Sequence, residues 1–199
     1  MAVLFANNNS LSAITSIPSG VGGGSLNLIS TSTASGSSTI SFTSGIDDTY
    51  DEYIFKLINI HGSEQQIFKF NFSVDGGSNY NVSKTSTYWS VYHFEDDSAA
   101  DIGYNTSADL ANSTAAKNIS RGIGLENDDN GSGILHLYNP ASTTFVKHFM
   151  VTYNELNNTA GINVTFPAGY ANTTSAINAV RFEPSAGTFD GIIKMYGVS

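Results

Sequence analysis

The groups in this chain that most readily move a proton or hold a metal near neutral pH are 17 carboxylates and four histidines; cysteine is absent. Its absence removes disulfides, thiolate metal sites and thiol nucleophiles together. Cleavage of a glycosidic bond needs two carboxyls facing each other across a cleft, about 5 Å apart for retention or about 6.5 to 9.5 Å for inversion. The acids here bunch in turn-like stretches instead: Asp47, Asp48, Asp51 and Glu52; Glu95, Asp96 and Asp97; Glu126, Asp128 and Asp129. Glu52, Glu64 and Glu95 are the remaining candidates, and no spacing rule pairs them. Serine catalysis needs a histidine base oriented by an acid, with the nucleophile on a constrained turn of the G-x-S-x-G kind. That pattern does not occur, and His61, His93, His136 and His148 all fall within or at the ends of strand-like stretches. The expectation is a protein without enzymatic activity and without a cofactor.

Two further groupings bear on binding. Asp128-Asp129-Asn130-Gly131-Ser132-Gly133 places oxygen-bearing side chains at Asp128, Asn130 and Ser132, which imitates the start of a calcium loop. The closing carboxylate of such a loop would fall on residue 139, which is Asn, and a strand rather than a helix is expected to follow. Asp128, Asn130 and Ser132 are therefore the candidate metal ligands, with a plain polar hairpin loop as the preferred alternative. Tyr88, Trp89, Tyr92 and Phe94 form an aromatic run in which Tyr88, Tyr92 and Phe94 share a face and Trp89 points the other way. Core packing accounts for the run, and Trp89→Ala would then cost about 3 to 5 kcal/mol. With its face exposed, Trp89 is the candidate to stack on a sugar ring.

The elements that would carry these residues are strands. In Gln66 to Val74 the residues Phe68, Phe70, Phe72 and Val74 alternate with Lys69, Asn71 and Ser73, the pattern of a half-buried strand. Asp75-Gly76-Gly77-Ser78-Asn79 follows and predicts a hairpin. Further strands are expected at 26–32, 38–42, 53–61, 85–94, 118–126, 133–139, 145–153, 162–166, 176–183 and 192–198, and helix is marginal even at 107–117. Strands at this spacing with Gly, Asn, Asp and Ser loops predict an all-β chain: an antiparallel β-sandwich, jelly-roll-like, over residues 25–199. Residues 1–24 read differently, as an extended N-terminal arm. Its apolar Val3, Leu4, Phe5, Leu11, Ile14 and Ile17 precede the hinge Gly22-Gly23-Gly24 and are the candidate assembly contacts.

Only 13% of the residues are charged, about half the usual share, and the net charge is -9. The eight basic residues stand singly, so neither nucleic acid nor an anionic membrane is an expected partner. No run of eighteen apolar residues and no basic leader occurs, so neither a span nor a secretion signal is expected.

Ile46-Asp47-Asp48-Thr49-Tyr50-Asp51-Glu52-Tyr53-Ile54-Phe55, with Ser73-Val74-Asp75-Gly76-Gly77-Ser78-Asn79-Tyr80, resembles virion structural and fibre-type proteins of marine tailed bacteriophages. The closing Phe189-Asp190-Gly191-Ile192-Ile193-Lys194-Met195-Tyr196-Gly197-Val198 and the opening Asn8-Asn9-Ser10-Leu11-Ser12-Ala13-Ile14 are similar to the same proteins. The resemblance implies a structural role in a virion, assembled in the host cytoplasm, and carries over no catalytic residue. The chain has neither heptads nor β-helical repeats for a long shaft. The expectation is therefore a capsid decoration protein or compact head or tail appendage. It would dock through its arm on other virion proteins, whether capsid, tail or adaptor, and form a homo-oligomer, with a trimer one option. The alternative is a carbohydrate-binding receptor-recognition module of a tail fibre, with a host surface glycan as partner.

Overall fold

The computed structural model describes residues 26–198, which form strands and loops without a helix. In chain order the strands are β1 (Leu26–Ser37), β2 (Ile40–Phe42), β3 (Glu52–Gly62), β4 (Phe68–Ser73), β5 (Lys84–Thr87), β6 (Trp89–Phe94), β7 (Ala100–Tyr104) and β8 (Leu110–Ser113). They continue as β9 (Lys117–Asn118), β10 (Gly131–Tyr138), β11 (Lys147–Asn157), β12 (Gly161–Thr165), β13 (Ala168–Ala171), β14 (Ala179–Pro184) and β15 (Phe189–Val198). All pairings are antiparallel. An eleven-stranded sheet runs β1-β15-β3-β10-β11-β12-β6-β7, with β13, β5 and β8 branching from β11, and a four-stranded sheet runs β2-β14-β4-β9. The antiparallel sandwich expected from the sequence is the fold, and it does not close into a barrel. The expected arm, with Val3, Leu4, Phe5, Leu11, Ile14 and Ile17, lies outside the described residues.

The core is aromatic because period-two alternation puts one phenylalanine after another on the same face of facing strands. Phe42, Phe68, Phe70, Phe72 and Phe182 from the small sheet meet Phe55, Phe149 and Phe189 from the large one, all buried. Phe182 touches three partners, Phe42, Phe55 and Phe68, at centroid distances of 6.2, 5.5 and 6.0 Å. Phe149 receives Phe70 and Phe72 at 5.2 and 5.8 Å, both edge-on. Each such pair is worth about 0.5 to 1.5 kcal/mol beyond the area it buries. Register in the large sheet shifts in β1 against β15, in β5 against β8, and in the middle of β3, where one extra residue opposes both β15 and β10. Asn59 takes a left-handed φ of 51° there, and a Cβ on Gly191, at φ 139°, would strike the carbonyls of Ile58 and Asn59.

The structure corrects several sequence expectations. The glycine turn at 75–79 is not a hairpin: β4 pairs with β14 and β9, and the chain crosses to the other sheet before β5. The expected strand 85–94 breaks at Tyr88, because β5 pairs with β13 and β8 whereas β6 pairs with β12 and β7. Of the expected strand at 118–126 only Asn118 falls in a strand, as the second residue of β9, the rest being a loop. The strands β7, β8 and β13 were not anticipated. β7 is exposed along its whole length, and β8 and β13 carry mainly small residues, so none shows a strong alternating signal.

Replacing Phe182 by Ala is expected to cost about 3 to 5 kcal/mol in urea unfolding, whereas Phe145→Ala should stay within about 0.5 kcal/mol. Phe145 is 69% exposed and serves as the control. Equal effects at the two positions would show that the sheets are not held by this ring cluster.

Candidate functional site

Under the small sheet the large one is dry, but at the β12-β6-β7 end it extends beyond that cover. The chain fills the gap with the loop between β9 and β10. Ile119 and Ile123 of this loop are buried, its Ile119 N–H donates to the Phe68 carbonyl, and its Gly124 N–H donates to the Leu156 carbonyl at 3.0 Å. The loop's peptide groups turn inward and need acceptors. Glu155 of β11 supplies one: its Oε1 accepts from the N–H of Arg121 and of Gly122, each at 2.8 Å, and from Asn163 Nδ2 at 3.3 Å. Its Oε2 has no protein partner and is buried, as are the hydroxyls of Tyr153 and Tyr88. Burial pushes the Glu155 carboxyl up to about 7 against the pull of those hydrogen bonds, and burial raises both tyrosines as well.

Over this buried carboxylate the surface is grooved. Arg121 lies on the Tyr92 ring, 5.1 Å from its centroid, and Tyr92 and Arg121 together separate two polar depressions. One, of about 280 Å³, is lined by Gln65, Phe94, Asn157, Thr159 and Asn163; the other, of about 380 Å³, by Asp101, Tyr104, Asn105 and Ser107. Amides, hydroxyls, one guanidinium and ring faces make a surface that hydrogen-bonds neutral polar ligands. Glu155 was not singled out in the sequence; its signal was one acidic residue at an inward position of an alternating strand, between Tyr153 and the loop.

On the opposite face of β6 stands Trp89. It is 38% exposed rather than a core residue, so the cost of its loss as a fully buried ring does not apply. Its indole stacks on Phe166 with centroids 4.1 Å apart, and Tyr104, 54% exposed, is its cross-strand neighbour. Tyr88 is fully buried while Tyr92 and Phe94 are half-buried, since they reach into the overhang.

The other sequence candidates do not converge. Glu52 begins β3 and bonds His136 Nδ1 at 2.5 Å; Glu95 follows β6, and Glu64 lies exposed in the loop after β3. Four strand steps separate β3 from β6, on the order of 19 Å at the usual spacing. In the acidic loop it is Asp129 that turns inward, its Oδ2 accepting from the Glu126 N–H at 2.8 Å. Asn130 Nδ2 donates to the Asp128 carbonyl at 3.0 Å, and Ser132 Oγ accepts from the Asn59 N–H at the bulge, also at 3.0 Å. The three candidate calcium ligands are thus engaged separately, and among the described residues no group of three or more His, Asp or Glu is placed to hold a metal.

Three of the eight basic residues lie inside, each capped by oxygen atoms and, among the described residues, in no ion pair. Lys84 Nζ donates to Asn71 Oδ1 at 2.5 Å and to the Val82 carbonyl at 2.7 Å. Lys117 Nζ donates to the Ala108 carbonyl at 2.6 Å and lies over the Tyr88 ring, and Lys147 Nζ donates to the Ser175 and Thr173 carbonyls at 2.7 and 3.1 Å. Burial lowers the first two ammonium groups to about 8 and lowers Lys147 as well.

These shifts set a pH profile. Glu155 holds its proton more tightly folded than unfolded, so its contribution is full below about 4.5 and is lost as pH rises through about 7. Lys117 holds its proton less tightly folded, so its contribution is lost as pH falls through about 8 and is full only above about 10.5. Scanning calorimetry should therefore find a minimum in Tm between about pH 7 and 8, with Glu155→Gln flattening the acid limb and Lys117→Met the alkaline one. A single maximum near neutrality would refute these assignments. A functional reading rests on this chain's own geometry, since no family model, curated protein or solved structure matches it.

Proposed function

We propose that this chain is a non-enzymatic structural component of a tailed-phage virion, a capsid decoration protein or compact head or tail appendage that docks through its N-terminal arm. The observation that carries the reading is the open face of the large sheet. Register places Leu28, Tyr196, Ile54, His136 and Met150 in one row across β1, β15, β3, β10 and β11 on the side away from the core. Leu28 and Met150 at its ends are 56% and 54% exposed, and no other strand of the described residues covers this face. Four of these five residues are apolar, His136 being bonded to Glu52, and an exposed apolar row of this kind is a surface that an apolar partner segment can cover. β1, which carries Leu26 and Leu28, is the sheet's edge strand and follows residues 1–25 in the chain. The separated carboxylates and strand-bound histidines support the absence of catalysis, and the resemblance of the Ile46–Phe55 and Phe189–Val198 stretches points to a virion.

The alternative is carbohydrate recognition, favoured by the exposed Trp89–Phe166 stack and the Tyr92–Arg121 groove. On that reading, glycan binding is lost in Trp89→Ala or Arg121→Ala while the melting temperature holds.

Deletion of residues 1–20 should leave a folded sandwich that no longer joins its own oligomer or purified particles, measured by sedimentation velocity and co-sedimentation. Leu28→Asp combined with Met150→Asp should weaken the same association at least tenfold. Unchanged association in the truncated chain would exclude docking through the arm, and a chain that fails to fold without it would make the arm part of the core.

A further inference from the structure

Of the three buried lysines, Lys117 and Lys147 donate hydrogen bonds to main-chain carbonyls, whereas Lys84 donates also to a side-chain carboxamide. Asn71 is itself buried, on β4 of the small sheet, and Lys84 opens β5 of the large one. We propose that Lys84 and Asn71 condense to an amide cross-link between the two sheets, with release of ammonia.

The geometry is that of reactants already brought together. Lys84 Nζ stands 2.5 Å from Asn71 Oδ1. A carbonyl bond of about 1.23 Å puts the carbon at most about 3.7 Å from the nitrogen, next to the range of about 3 to 3.5 Å from which attack proceeds. Oδ1, where negative charge would develop, also accepts from the Phe72 N–H at 2.9 Å, a fixed donor of the kind that stabilises a tetrahedral intermediate. The leaving nitrogen, Nδ2, is held by the carbonyls of Tyr80 and Thr114 at 2.7 and 3.1 Å, which fixes the carboxamide against rotation. Burial lowers the ammonium to about 8, so neutral amine is available at mildly alkaline pH, and the same burial keeps out the water that would compete as nucleophile. Among the described residues no ion pair reaches Lys84, so no carboxylate holds it charged.

The step balances without an added reagent. The lone pair of the neutral amine forms the Nζ–Cγ bond, the Cγ–Nδ2 bond breaks, and one Nζ proton passes to Nδ2, which departs as ammonia. The product is a secondary amide that no longer titrates. In a chain without cysteine it ties β4 to β5 covalently, as a disulfide would in an oxidised protein.

Mass spectrometry of the purified full-length chain, held folded at mildly alkaline pH and then denatured, tests this. The expected mass is that of the sequence less one ammonia, with trypsin failing to cut after Lys84 and with fragments cleaved at Asp75 remaining joined. Asn130-Gly131 can also lose ammonia by cyclising, but trypsin then cuts after Lys84 as usual. Lys84→Arg and Asn71→Ala should each give the full sequence mass. A wild-type chain that trypsin cuts after Lys84, whether at full mass or short of one ammonia, overturns the proposal, and so do fragments cleaved at Asp75 that stay joined in Lys84→Arg.

Discussion

The interlock of phenylalanine rings between two sheets of unequal size governs the rest of this structure. Phe182 can contact Phe42, Phe55 and Phe68 at once only if β14 lies over the β15-β3 region of the large sheet. That fixes where four strands cover eleven, and the uncovered remainder follows. At the β12-β6-β7 end the loop after β9 must substitute for a strand, and its unpaired N–H groups require the acceptor that Glu155 provides. The groove at Tyr92 and Arg121 is the outer surface of that repair.

Loop fastening uses a small set of inward-facing polar side chains. Lys84, Lys117 and Lys147 collect carbonyls from the segments around residues 82, 108 and 173–175, and Glu155 collects N–H groups from 121–122. Removing an ion from water is costly, and peptide dipoles return only part of that cost, which is why these groups are displaced toward their neutral forms. A loop held this way is specified by the reach of one side chain rather than by its own sequence. Few charged residues are then needed to order long connections of Ser, Thr, Asn and Gly.

This division explains what was legible in the sequence. The run Phe68, Phe70, Phe72 announced its strand because every second residue meets the opposite sheet. β7 did not, because Ala100–Tyr104 is an exposed edge whose residues face solvent on both sides. Tyr88 closed one ladder and opened another without a glycine or proline to mark the change, so a partner switch read as a continuous strand. The turn at Asp75–Asn79 carries the residues of a hairpin, but it is tied instead to the segment before β14, where the Gly76 N–H donates to Asn178 Oδ1. Of the site, Trp89 was visible as a residue and not as an exposure, since alternation gives the face but not which face is covered. The buried lysines could not be read at all: a lysine inside a strand looks like a lysine on its outer face until the loops above it are placed.

The two surfaces left to the solvent differ in kind. The groove is polar and lies over a fixed hydrogen-bond network, so a ligand there would meet groups already oriented. The open sheet face is apolar along its central row, with Lys56 lying over the Tyr196 ring rather than projecting freely. Association through such a face depends on area and not on charge, so it is little changed by salt and gains nothing from long-range steering in a chain of net charge -9. One face of this width is a modest contact, but a symmetric array repeats it, and each added copy binds at the high effective concentration set by its neighbours. Under the proposed role, a contact repeated in this way would let the chain coat a preformed surface.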